Sequence, residues 1–185
     1  MNFPIYTVDN APENAQPLLK IAKENFGFVP NLLGEFAEAP AVLEGYLTLN
    51  EIVGKTGFSP VEQQLAILAV SIENRCPYCS AIHSTILKNQ LNVDEGIVNA
   101  VRSGDPVPDD KLNALVTYVT EAVQSRGFVD ETALQAFIDA GYSKQNILEI
   151  NLIIALKTIS NYTNHLADTP LDEAFEAEKL NFQTA

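Results

Sequence analysis

Both cysteines of this chain and one of its two histidines lie within eight residues, in the segment CPYCSAIH. Cys76 and Cys79 are three residues apart, and His83 follows Cys79 by four. Residues three and four positions apart share one face of a helix. A helix that begins near Pro77 would therefore place Cys79 beside His83, with Cys76 at its N-terminus. The spacing predicts a compact centre of two thiols and one imidazole.

These are the groups that thiol redox chemistry requires. A free thiol with a pKa of about 8.5 is only a few per cent thiolate at neutral pH. The partial positive charge of a helix N-terminus favours an anion at Cys76 and Cys79. His83 could accept a proton from Cys79 or, once protonated, pair with its thiolate. The second thiol could then condense with an oxidised sulfur to give a disulfide.

Three other interpretations of this segment stay open. The cysteines could be small buried apolar residues, with His83 as a packing residue. Cys76, Cys79, His83 and His165 could form a Cys2His2 zinc site, although C-x2-C-x3-H is one continuous helical block. CPYC also matches the glutaredoxin active site, but the strands and the cis-proline loop of a thioredoxin-like fold are not evident downstream of Cys79.

The elements that must position this centre are predicted to be helices. Ser59-Pro60 is a helix start with Ser as N-cap and Pro at the first position, and Leu65, Leu68 and Ile72 share a face of the helix that follows. The last long helix is expected to run through Ile147, Ile150, Ile154 and Thr158 to about Leu166. Further N-caps are expected at Asp94, at Asp109 or Asp110, at Asp130 and at Ser143.

We therefore expect an all-α fold of about eight helices, in one compact domain over residues 1–185 with the core motif at 59–91.

The formal charge of −13 would repel phosphate backbones and anionic lipids, so nucleic acid and membranes are excluded as partners. No signal peptide and no apolar stretch of the roughly 20 residues that a bilayer span needs is evident. We expect a cytoplasmic protein, where a close cysteine pair is more often redox-active or metal-binding than structural.

The block SPVEQQLAILAVSIENRCPYCSAIHS resembles the core of the alkylhydroperoxidase D and carboxymuconolactone decarboxylase family, and more narrowly its peroxidase-related branch. FGFVPNLLGEFAEAPAVLEGY and NYTNHLADTPLDEAF extend the resemblance over most of residues 20 to 176. The resemblance implies a helical AhpD-like domain that assembles into homotrimers or hexamers. It also implies reduction of a hydroperoxide by the dithiol, which an external lipoyl or thioredoxin-like dithiol then resets. No metal and no cofactor besides the Cys76–Cys79 disulfide is expected.

By this resemblance Cys79 would be the peroxide-attacking thiolate, Cys76 the resolving thiol and His83 the proton relay. The family has a glutamate twelve residues before the first cysteine, where this chain has Gln64. An amide can orient a water molecule but cannot accept its proton at neutral pH. Glu73, three residues before Cys76, is an alternative carboxylate for the relay.

Two further side chains are candidates for the substrate pocket, Tyr78 and His165. For His165 we favour instead a role at the C-terminal end of the last long helix, where an imidazole suits the helix dipole. The acidic segment 168–185 is a candidate for docking on a neighbouring subunit. The sequence thus predicts a thiol-dependent hydroperoxide reductase. The alternatives are a general disulfide oxidoreductase and a non-enzymatic helical oligomer that holds zinc or another metal.

Overall fold

The computed structural model describes residues 3–182, which form nine α-helices and no β-strand. The prediction of an all-α fold is confirmed. Within the described range, none of the helices has the length and apolar character needed to cross a membrane. The helices are α1 (Gln16–Phe26), α2 (Asn31–Phe36), α3 (Pro40–Val53), α4 (Pro60–Glu73), α5 (Pro77–Thr85), α6 (Glu95–Ser103), α7 (Asp110–Gln124), α8 (Glu131–Asp139) and α9 (Lys144–Ala167), with a π-helical turn at Ile86–Gln90 and a 3-10 helix at Glu173–Glu178.

Local capping explains where most of these helices begin. The Ser59 hydroxyl accepts from the Glu62 amide while the Glu62 carboxylate accepts from the Ser59 amide, which is a capping box at the start of α4. The first helix begins at Gln16, because residues 12–15 form a turn closed by a hydrogen bond from the Ala15 amide to the Pro12 carbonyl. Side-chain caps also start α6 to α9, at Asp94, Asp109, Asp130 and Ser143.

Helix α4 is the central element of the fold. Its residues 65–71 are all buried, because α5, α6, α7 and α9 pack around it. A helix that is apolar on every side is suited to such a position. Arg75 takes a left-handed conformation, with φ of 54°, and the Cys76 amide donates to the Ser71 carbonyl at 2.9 Å. This tight reversal presses the first turn of α5 against α4.

The segment 168–182, here called the C-terminal strap, folds back over its own chain. Its 3-10 helix packs against α5. Asp172 accepts a hydrogen bond of 2.6 Å from the Tyr78 hydroxyl, and Glu178 pairs with Lys88 at 3.0 Å and Arg102 at 3.2 Å. Residues 168–182 thus pack on their own chain, residues 183–185 lie outside the described range, and docking of 168–185 on a neighbouring subunit stays a prediction.

Removal of the Tyr78 hydroxyl should loosen the strap. Tyr78→Phe leaves the buried Asp172 carboxylate without its closest donor, which should lower the free energy of unfolding by about 1–3 kcal/mol. Urea unfolding at neutral pH measures this change. Tyr162→Phe is the matched control, because Tyr162 is 55% exposed. Equal losses in the two variants would contradict the anchoring role of Tyr78.

Candidate active site

The two sulfurs lie at the first turn of α5, as the sequence predicted. Cys76 is the N-cap residue and Cys79 follows one turn later. Both are free thiols, 0% and 2% exposed. Cys79 lines a cavity of about 570 Å³, whereas Cys76 is fully buried and absent from its lining. The two thiols therefore differ in their access to any molecule that enters this cavity.

A buried lysine from α9 lies against this thiol pair. Lys157 is 1% exposed, and its Nζ donates to the Cys79 Sγ at 3.3 Å. The same Nζ lies 3.0 Å from the His83 Nε2. An ammonium group without solvent is costly unless an anion accompanies it. The geometry therefore pairs Lys157 with a thiolate at Cys79.

The surroundings of the two thiols shift their pKa values in opposite directions, down for Cys79 and up for Cys76. Burial raises the pKa of Cys79, but the hydrogen bond from Cys76, the positive charge of Lys157 and the Ser160 hydroxyl outweigh it and lower the pKa to about 5. The hydrogen bond to Cys79, followed by burial, raises the pKa of Cys76. Burial lowers the pKa of Lys157, but the negative charge of Cys79 outweighs this and raises it. At neutral pH the site holds a thiolate, a thiol and an ammonium.

His83 is neutral in this arrangement. Burial, followed by the charge of Lys157, holds the pKa of His83 well below 6.5. Its Nδ1 lies 2.8 Å from the Gln64 Oε1, and because that oxygen only accepts, the proton belongs on Nδ1. The lone pair of Nε2 then faces the Lys157 ammonium. The cation beside the thiolate is thus Lys157, which corrects the expectation that a protonated His83 could take this role.

Asn164 of α9 binds both sulfurs at once. Its Nδ2 donates to the Cys79 Sγ at 3.2 Å and to the Cys76 Sγ at 3.5 Å. The Ser160 Oγ approaches the Cys79 Sγ at 3.8 Å from one turn earlier. These donors stabilise negative charge on Cys79 and hold the sulfurs in one orientation, which suits the formation of a bond between them.

Sequence reasoning missed Lys157, Ser160 and Asn164, although α9 carries a signal. Its buried stripe runs from Ile150 and Ile153 to these three polar residues at spacings of three and four. Polar residues that continue an apolar stripe occupy core positions, where they need specific partners. Of the α9 residues named from the sequence, Ile150 lies on this stripe and is fully buried, whereas Ile147 and Ile154 lie beside it and are half-buried against the core.

Of the remaining predicted site residues, two line the thiol cavity and two lie away from it. Gln64 and Tyr78 line the same cavity as Cys79. Glu73 comes nine residues after Gln64, about 180° around the helix, and lines a separate cavity with residues of α6 and α7. It therefore cannot replace the relay glutamate. His165 is exposed and stacks on Tyr162 at 6.3 Å. It lies in the last turn of α9, the position favoured from the sequence, and the alternative of a place in the thiol pocket does not hold.

Two alternatives from the sequence do not fit this geometry. The proposed zinc set is not assembled, because His165 is exposed while Lys157 places its own cation between Cys79 and His83. Over the described residues, three or more His, Cys, Asp or Glu side chains do not gather where they could hold a metal ion. The thioredoxin-like alternative requires a sheet, and residues 3–182 contain no strand.

The cavity has a polar end and an apolar body. Cys79, Gln64, His83 and Lys157 form the polar end. The strap contributes Phe175, whose ring lies 6.0 Å from that of Phe28. Other aromatic and aliphatic lining residues are Phe26, Leu33, Tyr46, Leu47, Ile82 and Ile86. Such a lining suits a molecule with an apolar body and one reactive group directed at the thiolate.

Comparison with known proteins supports the resemblance drawn from the sequence. Residues 40–121, which include α4, α5 and both cysteines, match the model of the carboxymuconolactone decarboxylase family. This segment, less than half of the 185 residues, is similar in sequence to that family. No curated protein matches the chain significantly.

Solved structures show that the fold extends well beyond the family segment. An alkylhydroperoxidase AhpD core, a peroxidase-related protein from Ralstonia eutropha JMP134, is 18% identical and matches with a TM-score of 0.82 over 94% of this chain and 93% of its own. A peroxidase-related protein from Silicibacter sp. TM1040 is 18% identical, with a TM-score of 0.80 over 96% and 94%. A cysteine-to-alanine variant of the debrominase Bmp8 in complex with 2,3,4-tribromopyrrole is 20% identical, with a TM-score of 0.78 over 96% and 95%. At these identities the likeness shows an AhpD-like helical fold.

Replacement of Lys157 should remove most of the stabilisation of the Cys79 thiolate. Lys157→Met keeps an apolar stem of similar length but no charge, so the pKa of Cys79 should rise from about 5 towards the usual value of about 8.5. The pH dependence of alkylation at Cys79, followed by mass spectrometry, measures it. Lys55→Met, on the surface, is the control. An unchanged pH profile in Lys157→Met would remove the lysine from this role.

Restoration of a carboxylate at position 64 should raise the pKa of His83, because the Nδ1–H would then donate to an anion. Gln64→Glu is the variant, and NMR titration of the imidazole is the measurement. His165 is the only other histidine and serves as an internal reference. Gln63→Glu is the matched control, since the Gln63 amide donates to the Val53 carbonyl instead. A His83 titration that is identical in the two variants would contradict the contact with residue 64.

Proposed function

We propose that this chain is a thiol peroxidase that reduces an organic hydroperoxide with Cys79 and Cys76. One observation carries the proposal: the thiol that faces the cavity is the one whose pKa is lowered, and the thiol behind it keeps its proton. An attacking thiolate must be ionised and accessible, whereas a resolving thiol must be close and act second. Cys79 meets the first requirement and Cys76 the second.

In the first step the Cys79 thiolate attacks the terminal oxygen of the hydroperoxide. An S–O bond forms, the O–O bond breaks, and the alkoxide that leaves takes a proton from the Lys157 ammonium to become an alcohol. Cys79 is now a sulfenic acid. The lone pair of the His83 Nε2 holds the ammonium in place, and Gln64 holds the imidazole. Gln64 orients this chain of groups but takes up no proton.

In the second step the Cys76 thiol gives its proton to the neutral Lys157 amine and attacks the Cys79 sulfur. The S–S bond forms, the S–O bond breaks, and hydroxide leaves as water with a proton from Lys157. Hydroperoxide and two reducing equivalents thus give an alcohol, water and a disulfide. An external dithiol, lipoyl or thioredoxin-like, returns two electrons and two protons to the pair. We propose that this cycle runs in the cytoplasm, in a homo-oligomer.

Substitution of the two cysteines should affect peroxide consumption in different ways. Cys79→Ser should abolish consumption of cumene hydroperoxide, while Cys76→Ser should support one turnover and trap a sulfenic acid at Cys79. Single-turnover peroxide assays with mass spectrometry of the trapped sulfur measure both. A Cys76→Ser variant that loses the first attack would reverse the roles. Bound zinc that protects both thiols from peroxide would favour the non-enzymatic metal-binding alternative.

A second candidate function is reductive dehalogenation, which the aromatic lining of the cavity and the acid beside the thiolate favour. The Cys79 sulfur would take a halogen from an aromatic ring, Lys157 would protonate the ring carbon, and Cys76 would displace halide to give the disulfide. Aryl halide and two thiols thus give arene, hydrogen halide and a disulfide. Oxidation rates of the pair by 2,3,4-tribromopyrrole and by cumene hydroperoxide, measured side by side, decide between the two functions. Faster oxidation by the pyrrole would favour dehalogenation.

A further inference from the structure

We propose that Lys157 is a modification site: once a hydroperoxide has oxidised Cys79, the Lys157 amine bonds to the Cys79 sulfur and forms a sulfenamide. The inference rests on the attack of Cys79 on a hydroperoxide proposed above. The Lys157 Nζ lies 3.3 Å from the Cys79 Sγ, and the two residues are only 1% and 2% exposed. A sulfenic acid that forms at this sulfur therefore has a nitrogen within contact distance, shielded from water.

Oxidation of Cys79 removes the anion that keeps Lys157 protonated. In the resting site, burial lowers the pKa of Lys157 and the negative charge of Cys79 raises it. A sulfenic acid is uncharged. Among the described residues, no Asp or Glu lines this cavity, and burial raises the pKa of the Tyr46 phenol, which keeps its proton. A buried ammonium without an anion is costly, so the lysine that has given its proton to the leaving alkoxide stays a neutral amine, which is a nucleophile.

The neutral amine can lead to either of two bonds at the same sulfur. If it takes the proton of Cys76, the disulfide forms as described above. If it attacks Cys79 first, an S–N bond forms, the S–O bond breaks and hydroxide leaves. His83 suits this step because its neutral Nε2 lies 3.0 Å from the Lys157 Nζ and can accept the proton that the nitrogen loses. That proton then converts the hydroxide to water, so sulfenic acid and amine give a sulfenamide and water.

The S–N bond protects Cys79 from a second oxidation. Cys79 faces the cavity, so a further hydroperoxide can reach its sulfenic acid and convert it to a sulfinic acid, which is irreversible. The sulfenamide is reversible, because an external dithiol can attack the sulfur, release the Lys157 amine and then close its own disulfide. That exchange returns two electrons and two protons to the site. Lys157 is thus a second resolving group beside Cys76.

Mass spectrometry of Cys76→Ser after one equivalent of cumene hydroperoxide tests the S–N bond. This variant cannot form the Cys76–Cys79 disulfide, which also removes two hydrogen atoms from the chain. A trapping reagent such as dimedone should capture the sulfenic acid, which adds one oxygen atom. Without that reagent, the product should have lost two hydrogen atoms, and fragmentation should show Cys79 joined to Lys157.

Two results would overturn the inference and leave the peroxide attack intact: a sulfenic acid that persists without the reagent, or a bond from Cys79 to another nitrogen. An unchanged mass of Cys76→Ser would refute the peroxide attack itself, and the inference with it.

The double variant Cys76→Ser/Lys157→Arg separates the nucleophile from the charge. A guanidinium keeps a positive charge beside Cys79 but cannot be deprotonated in proteins, so Cys79 should be oxidised and remain a sulfenic acid. Cys76→Ser/Lys157→Met, treated above the ordinary thiol pKa of about 8.5, should give the same product, and circular dichroism checks that both are folded. Cys76→Ser/Lys55→Met replaces an exposed lysine and should form the sulfenamide. Loss of two hydrogen atoms in either Lys157 variant would exclude Lys157 as the bonded group.

Discussion

The ion pair between Lys157 and Cys79 is the interaction on which the rest of this site depends. A lone ammonium at 1% exposure would be costly in the protein interior, and so would a lone thiolate, but each stabilises the other. The pair also decides the state of its neighbours. The thiolate at Cys79 keeps the proton on Cys76. Burial, followed by the charge of the ammonium, keeps His83 neutral. The buried contact therefore sets the protonation states of the lysine and of both thiols.

Two segments that are 78 residues apart in the sequence meet to make that contact. The left-handed turn at Arg75 brings the start of α5 against α4, and α9 crosses both with its polar stripe facing the sulfurs. The C-terminal strap then closes over α5 and contributes Phe175 to the cavity. The buried ion pair and the largely apolar cavity are thus enclosed by elements that are far apart in the sequence.

The sequence could predict the part of the site that lies within a single helix. Cys76, Cys79 and His83 lie on one helix, so their spacing was enough to bring them together, and the capping residues fixed most helix starts. Lys157 lies 74 residues from His83, and nothing in local periodicity says which distant helix face will meet α5. Lys157, Ser160 and Asn164 were missed for this reason, whereas His165 lies exposed in the last turn of α9, the position favoured from the sequence. The family glutamate is absent, but Gln64 still occupies its position beside the imidazole.

The most direct test of this account is the ionisation of the two cysteines in the resting protein. NMR of protein labelled with ¹³C at the cysteine Cβ atoms should show two signals, since the chain has only two cysteines. The account predicts that the Cys79 signal titrates near pH 5, at its pKa of about 5, while Cys76 remains a thiol through neutral pH. Two thiols that both titrate at or above the ordinary value of about 8.5 would contradict it, because Lys157 would then have no anion to pair with.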